Sequence, residues 1–355
     1  MKTHLPDKSA GVNCLEPGLW LAVCLSVLAL VFSSRYISSM EKYITVLLVD
    51  AFTATPGKGN RAGVVLDGSD LDAKEMQAVA SLVNVSETAF MIPTNDRTEY
   101  TLEVRYFTPT TEVPSCGHAT IASHYARSQA LGVENGRVVA KIGAGILPVD
   151  IATQGGEKKI VMTQGEIKFT PEYDASVRRR ILRALGLDEE DVVQGLPVQE
   201  VSTGHSKVMI PIRSVKTLDG LRPDMQGLKE ISREIDCNGF FVFAFNDKDD
   251  PCLTSGRMFA PVAGIDEDPV TGNGNGPCGA YLSLYGRLPE VDEISYLGRQ
   301  GVAMGKEGVV EVTVHRSGGR PQTLQVGGTA VEAGEMTLLL SGDDAGHITA
   351  TCVGK

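Results

Sequence analysis

The chain has 355 residues, of which 42% are hydrophobic and 22% charged, the profile of an ordinary globular protein rather than a disordered or multi-span membrane one. At about 150 residues per domain, that length suggests two domains. Acidic residues exceed basic ones by 11 and no lysine–arginine stripe is present, which argues against nucleic acid or an anionic membrane surface as a partner. Seven cysteines, an odd number with no CxxC pair, read as reduced thiols rather than a disulfide framework.

In chain order, the first feature is an uncharged run of 14 residues at 19–32 (LWLAVCLSVLALVF), short of the roughly 20 needed to span a bilayer. Lys2, His4 and Lys8 precede it, Glu16 stands close by, and no A-x-A site follows, which makes a poor signal peptide. Two readings stay open. Either translation starts at Met40, directly before a strand-like run (YITVLLVDAF), or residues 1–39 tether a cytoplasmic-type domain to a membrane. The working reading is the first, with 1–39 set aside as an N-terminal extension and a cytoplasmic protein expected. It predicts that residues 40–355, expressed alone, give a folded and active protein; loss of folding in that shorter chain would overturn it.

Short strands are expected at 43–52, 86–93, 100–107, 137–151, 158–163, 198–212, 239–245, 294–300, 308–314 and 322–331. Peripheral amphipathic helices fit 72–84, with Asp72 and Glu75 as a capping box, and 174–185, stopped by Gly186. Two glycine turns introduce stretches without Asp, Glu, Lys or Arg, 117–126 and 269–286, which read as helices buried on every side.

These elements recur. Arg105-Tyr106-Phe107-Thr108-Pro109 is matched 152 residues later by Arg257-Met258-Phe259-Ala260-Pro261, and SETAFMI (86–92) by NGFFVFA (238–244) at the same spacing. At a spacing of 155, Glu112 to Gly117 faces Glu267 to Gly272. The expected fold is therefore α+β, in two pseudo-symmetric halves, each a barrel-like sheet around a central buried helix. The first half is taken as 40–165, the second as 166–345, with 346–355 as a tail. The cleft between the halves is the natural ligand site.

Glu87 is the most informative candidate. It is the only charge in VASLVNVSETAFMIP (79–93), on a strand face shared with Val85 and Ala89. Such surroundings raise a carboxyl's pKa and suit a proton carrier near neutral pH, although a strand-end glutamate facing solvent is the plainer alternative. His118 follows Gly117 at the start of a buried helix, where unpaired N–H groups and the positive dipole end favour an anion; His124, further into the helix, reads as core. Asp268 sits in the acidic loop Asp266-Glu267-Asp268, as a second acid, an orienting carboxylate or a helix cap. The turn Gly272-Asn273-Gly274-Asn275-Gly276 opens the second helix, and with Gly117 could clamp one small anion. No HExxH, HxH or clustered cysteines suggest a metal, and Gly57-Lys58-Gly59-Asn60 lacks the third glycine of a dinucleotide-binding turn. His205-Ser206-Lys207 has no motif context and reads as structural or as rim contacts.

Taken together, DAFTATPGKGNRAGVV (50–65), NVSETAF (84–90), RYFTPTTEVPSCGHAT (105–120), EDPVTGNGNGP (267–277) and GTAV (328–331) resemble the phenazine-biosynthesis PhzF-like family, and are more similar to its uncharacterised bacterial isomerases than to the phenazine enzyme. The resemblance implies a diaminopimelate-epimerase-like fold and a cofactor-free isomerase. It implies that Glu87 moves a proton on a small anionic metabolite, with His118 and Asp268 beside it. Gly117, Gly272, Asn273 and Cys116 are the implied substrate contacts, and a homodimer the implied assembly. Asn273 stands where the family has serine, which puts the phenazine substrate itself in question. Two other functions compete. A racemase or epimerase of this fold needs two facing thiols, and here Thr271 faces Cys116 in the repeat. A binding protein could also keep the fold without the chemistry.

Overall fold

The computed structural model describes residues 41–94, 99–342 and 347–354; Met40 and the apolar run at 19–32 lie outside them. Strand β1 (Lys42–Ala51) lies antiparallel to β2 (Asn60–Val65), and helix α1 (Ala73–Val83) crosses over to β3 (Glu87–Pro93), parallel to β2. Strand β4 (Leu102–Phe107) runs antiparallel to β3 and carries the short β5 (Glu112–Val113) on its end. Helix α2 (Gly117–Ala130) then leads to β6 (Gly136–Ile142), parallel to β4, and the meander continues through β7 (Gly145–Gln154) and β8 (Glu157–Thr163).

The same succession of pairings then repeats. Strand β9 (Lys168–Phe169) and helix α3 (Ala175–Leu185) lead to β10 (Gln199–Ser202), antiparallel to β11 (Ser206–Ile212). Helices α4 (Val215–Gly220) and α5 (Met225–Glu234) cross over to β12 (Phe240–Phe245), parallel to β11. Antiparallel β13 (Thr254–Ala260) and β14 (Ile265–Asp268) follow, and helix α6 (Gly272–Leu284) precedes β15 (Glu293–Gln300), parallel to β13. The meander closes with β16 (Gly308–Ser317) and β17 (Arg320–Gly328).

Side chains repeat as well as strands. Arg105 grips Glu112 with two bonds of 2.7 Å, and Arg257 grips Glu267 with bonds of 2.8 and 2.7 Å. Each guanidinium also lies over the phenylalanine two residues on, 5.2 Å from Phe107 and 5.0 Å from Phe259. Each fork tethers the loop that leads into a central helix, and bidentate arginine–carboxylate pairs hold such loops in one geometry.

The two units are laced together. Strand β8 pairs antiparallel with its counterpart β17, while β18 (Ala330–Gly342) leaves the second unit to pair with β1 from Lys42 to Ala51. The expected tail at 346–355 instead forms β19 (Ile348–Gly354) on the edge of β18, because its alternating apolar residues cover α1. Three other expectations are corrected. The runs 137–151 and 198–212 are each a hairpin rather than one strand, folded at Gly145 (φ 124°) and Gly204 (φ 119°), where only glycine takes the turn easily. The run 322–331 likewise divides between β17 and β18.

Local chemistry accounts for the helix ends. Asp72 accepts from the N–H groups of Lys74 and Glu75, and Glu75 returns a bond to the Asp72 N–H at 2.9 Å, closing the capping box. Met76, Val79, Ala80 and Val83 then form the buried stripe of α1. Asp174 caps α3, and Gly186 ends it in the left-handed region (φ 73°). In contrast, α2 and α6 are buried all round, α6 at all but two of its 13 residues. One apolar cluster, from Val49 through Ile121 and Phe241 to Val326, encloses both. No helix among the described residues is long and apolar enough to cross a membrane.

Candidate active site

Both central helices start in the same unusual way. Their N-cap residues, Cys116 and Thr271, are extended (φ −151° and −126°), and neither side chain caps the helix. The N–H groups of Gly117 and His118 and of Gly272 and Asn273 are thus left to whatever occupies the space in front of them, while the Gly274 N–H donates to the Thr271 carbonyl. That space is a cleft of about 570 Å³ lined by Gly117 and His118 from one unit and by Gly272 and Asn273 from the other.

Glu87 enters this cleft from the first position of β3. Asn84, at the end of α1, is left-handed (φ 52°) and turns the chain so that β3 starts beside β2, with Glu87 opposite Ala62. The carboxylate is 13% exposed and its Oε2 lies 3.3 Å from His118 Nε2, without the alignment of a hydrogen bond. Oε2 is therefore buried with no hydrogen-bond partner. The imidazole is held from two sides, by Ser86 Oγ at 3.1 Å from Nε2 and by Cys116 Sγ at 3.5 Å from Nδ1. Burial, and next the charge of Glu87, push the Cys116 thiol well above its ordinary range, so it stays protonated.

Asp268 faces this group from the end of β14. Asn60 Nδ2 donates to its Oδ1 at 2.7 Å and Thr271 Oγ1 to its Oδ2 at 2.5 Å. Gln300 fixes the same corner, donating to the Asp268 carbonyl at 2.8 Å and accepting from the Thr271 N–H at 3.0 Å. Burial pushes the Asp268 carboxyl up, opposed by His118 and by the donors Thr271 and Asn60. In Asp268→Asn the amide N–H₂ faces Thr271 Oγ1, which then accepts rather than donates, and the threonine hydroxyl proton loses its carboxylate partner. The unpaired group should cost about 1–3 kcal/mol, read as a lower urea midpoint at unchanged slope.

Asn273 Oδ1 accepts from Gln164 Nε2 at 3.0 Å, and the same amide N–H₂ donates to the Gly272 carbonyl at 3.1 Å. His124 is a core residue, its Nδ1 donating to the Thr120 carbonyl at 3.0 Å; burial pushes its pKa down to about 4. His205 and Lys207 line the cleft. Glu87, Cys116 and His118 also hold donor atoms within 4.8 Å of one another, a set that could receive a cation. Sequence spacing gave no hint of it, because a strand start and a helix start supply the ligands. Ser86, Asn60, Gln164 and Gln300 escaped sequence reasoning too. Asn60 and Ser86 lie inside recognisable motifs, whereas the two glutamines carry no local signal.

This paired-helix cleft has relatives. Residues 49–335 match the phenazine biosynthesis-like protein family. The chain belongs to that family. An uncharacterised isomerase of Clostridium acetobutylicum is 45% identical over 295 residues, 82% of this chain and 97% of that protein. The isomerase YddE of Escherichia coli K12 is 44% identical over 284 residues, 80% and 94% of the two chains. The trans-2,3-dihydro-3-hydroxyanthranilate isomerase of Pseudomonas chlororaphis is 26% identical over 310 residues, 85% of this chain and all of that one. Among solved structures, a PhzF-family protein of Bacillus anthracis superposes with a TM-score of 0.77 at 31% identity, covering 83% and 99% of the chains. A hydroxyproline epimerase of Agrobacterium vitis, 15% identical with a TM-score of 0.56 over 86% and 93%, shares the fold. The protein is an isomerase of the diaminopimelate-epimerase-like fold.

Proposed function

We propose that the chain is a cofactor-independent isomerase in which Glu87 moves a proton between two positions of a small carboxylate substrate. The observation that carries this reading is Glu87, a cleft-lining residue whose buried Oε2 has no hydrogen-bond partner although His118 Nε2 lies 3.3 Å away. A carboxylate not committed to a hydrogen bond, at the wall of a ligand cleft, is suited to take a proton from carbon. The electron pair released passes into the substrate's conjugated system, and its charge falls in front of the helix-start N–H groups. The same Glu87 then returns the proton to another carbon, so that nothing is gained or lost. His118, 3.3 Å away, orients Glu87 and steadies its charge.

Two features favour this over a thiol epimerase. The Cys116 thiol is pushed up, and its counterpart is Thr271, whose hydroxyl is spent on Asp268. A two-base thiol mechanism lacks both an ionised first thiol and a second one. The test is a thermal-shift screen of small cyclic and amino carboxylates, followed by deuterium uptake from heavy water into each stabilising ligand. Uptake at a carbon position is expected; ligands that stabilise the fold and take up no deuterium would mark a binding protein instead.

A further inference from the structure

Lys207, on β11, is 5% exposed and yet lines the cleft. Its Nζ donates to the Ser206 carbonyl at 3.1 Å, and among the described residues no carboxylate lies within 4.0 Å of it. Nearby acids are already engaged: Asp268 by Asn60 and Thr271, Glu267 by Arg257, and Glu200 by the Tyr173 hydroxyl at 2.7 Å. The other cations lining the cleft differ. Arg61 is clamped by Asp50 through bonds of 2.7 and 2.9 Å, and Lys58 and Lys306 are exposed and donate to the carbonyls of Gly305 and Gly57. Lys207 is thus a buried ammonium with only a backbone oxygen for company, an arrangement that costs stability unless a ligand supplies the missing charge. Burial pulls its pKa down to about 8, while Cys237, Asp268 and Glu200 hold it up.

Its place in the repeat adds direction. Residues 238–244 correspond to 86–92, so Gly239 occupies the position of Glu87, and in the parallel register of β11 and β12 Lys207 runs beside Gly239. One unit therefore presents an acid at this point of the cleft and the other a cation. The helix starts already offer a seat for one carboxylate. We infer that Lys207 is a specificity residue that receives a second carboxylate, and that the substrate is a dicarboxylate. This rests on the proton-shift reading above for what happens to the substrate, though not for how it binds.

The test is calorimetric binding to the full chain of succinate, glutarate and adipate, each against its monoamide, which keeps the length and removes one charge. The wild type should hold at least one dicarboxylate about ten- to a hundredfold tighter than its monoamide, the value of one charge-assisted contact. Lys207→Met, and Lys207→Gln as a second neutral variant, should reduce that ratio to about one and leave monoamide affinity as it was; Lys207→Arg should restore part of it. A ratio that survives in the neutral variants overturns the inference. So does an equal loss for both members of a pair, which would make Lys207 the seat of the only carboxylate or a neutral base, and so does a wild type without preference. Binding needs no turnover. Lys207-dependent preference without deuterium uptake would therefore count against the proton shift alone.

Discussion

Glu87→Gln should fold and bind ligands like the wild type and lose about 10²–10⁴ of the rate of deuterium exchange, the usual share of general acid–base catalysis. The amide is nearly isosteric, and because Oε2 makes no hydrogen bond the substitution breaks none there. Cys116→Ser should be mild, since the thiol is held protonated and Thr271 offers no second thiol. His118→Asn and Asp268→Asn should fall between, because in the proposed mechanism His118 and Asp268 orient and balance charge around Glu87 rather than carry the proton. Assayed together for isotope exchange on ligands from the thermal-shift screen, the set separates the mechanisms. If Cys116→Ser abolishes exchange and Glu87→Gln leaves it intact, the glutamate-based proton shift fails and a thiol-dependent epimerase replaces it.

What the sequence discloses is what is local or duplicated. The capping box at Asp72 and Glu75 and the stop at Gly186 were legible because each involves residues three or four apart. The two central helices were legible because a stretch with no charge on any side has nowhere to go but the interior. The repeat was legible in Arg105 and Arg257, whose forks to Glu112 and Glu267 keep the same residue types in the same order, 7 and 10 residues on. Partners far apart in the chain were not. Gln300 holds the Asp268 corner from 32 residues away and Gln164 holds Asn273 from 109, and neither glutamine differs in sequence from one facing solvent. The return of β18 to β1 was invisible for a related reason: alternation reports that a strand has a buried face, not which neighbour it pairs with. Lys207 stands in a stretch without motif context, which reads as structural or as rim contacts, and only the fold shows it buried against the cleft.

Gly239→Ala should cost about 2–4 kcal/mol, read as a fall in urea midpoint at unchanged slope. The backbone there has φ 150°, which side chains rarely adopt, and an added Cβ would stand 2.5 Å from the Phe259 carbonyl oxygen and 2.7 Å from Met258 Cε. The methionine tip can move; the carbonyl belongs to β13, which pairs with β12 from Phe240 to Phe245, and moving it disturbs the sheet. Gly132→Ala is the internal control: its φ is 63°, with nothing within 4 Å of an added Cβ, so it should cost only the backbone term of about 1 kcal/mol. Equal costs at the two positions would show that Gly239 is conformationally special and not sterically closed. The difference matters for mechanism, because Gly239 is where the repeat would set a mirror image of Glu87. With that position closed by backbone, a second carboxylate cannot be supplied from the equivalent point of the other unit. Racemisation by a symmetric pair of carboxylates is thereby disfavoured, which favours the proposed mechanism in which Glu87 both takes and returns the proton.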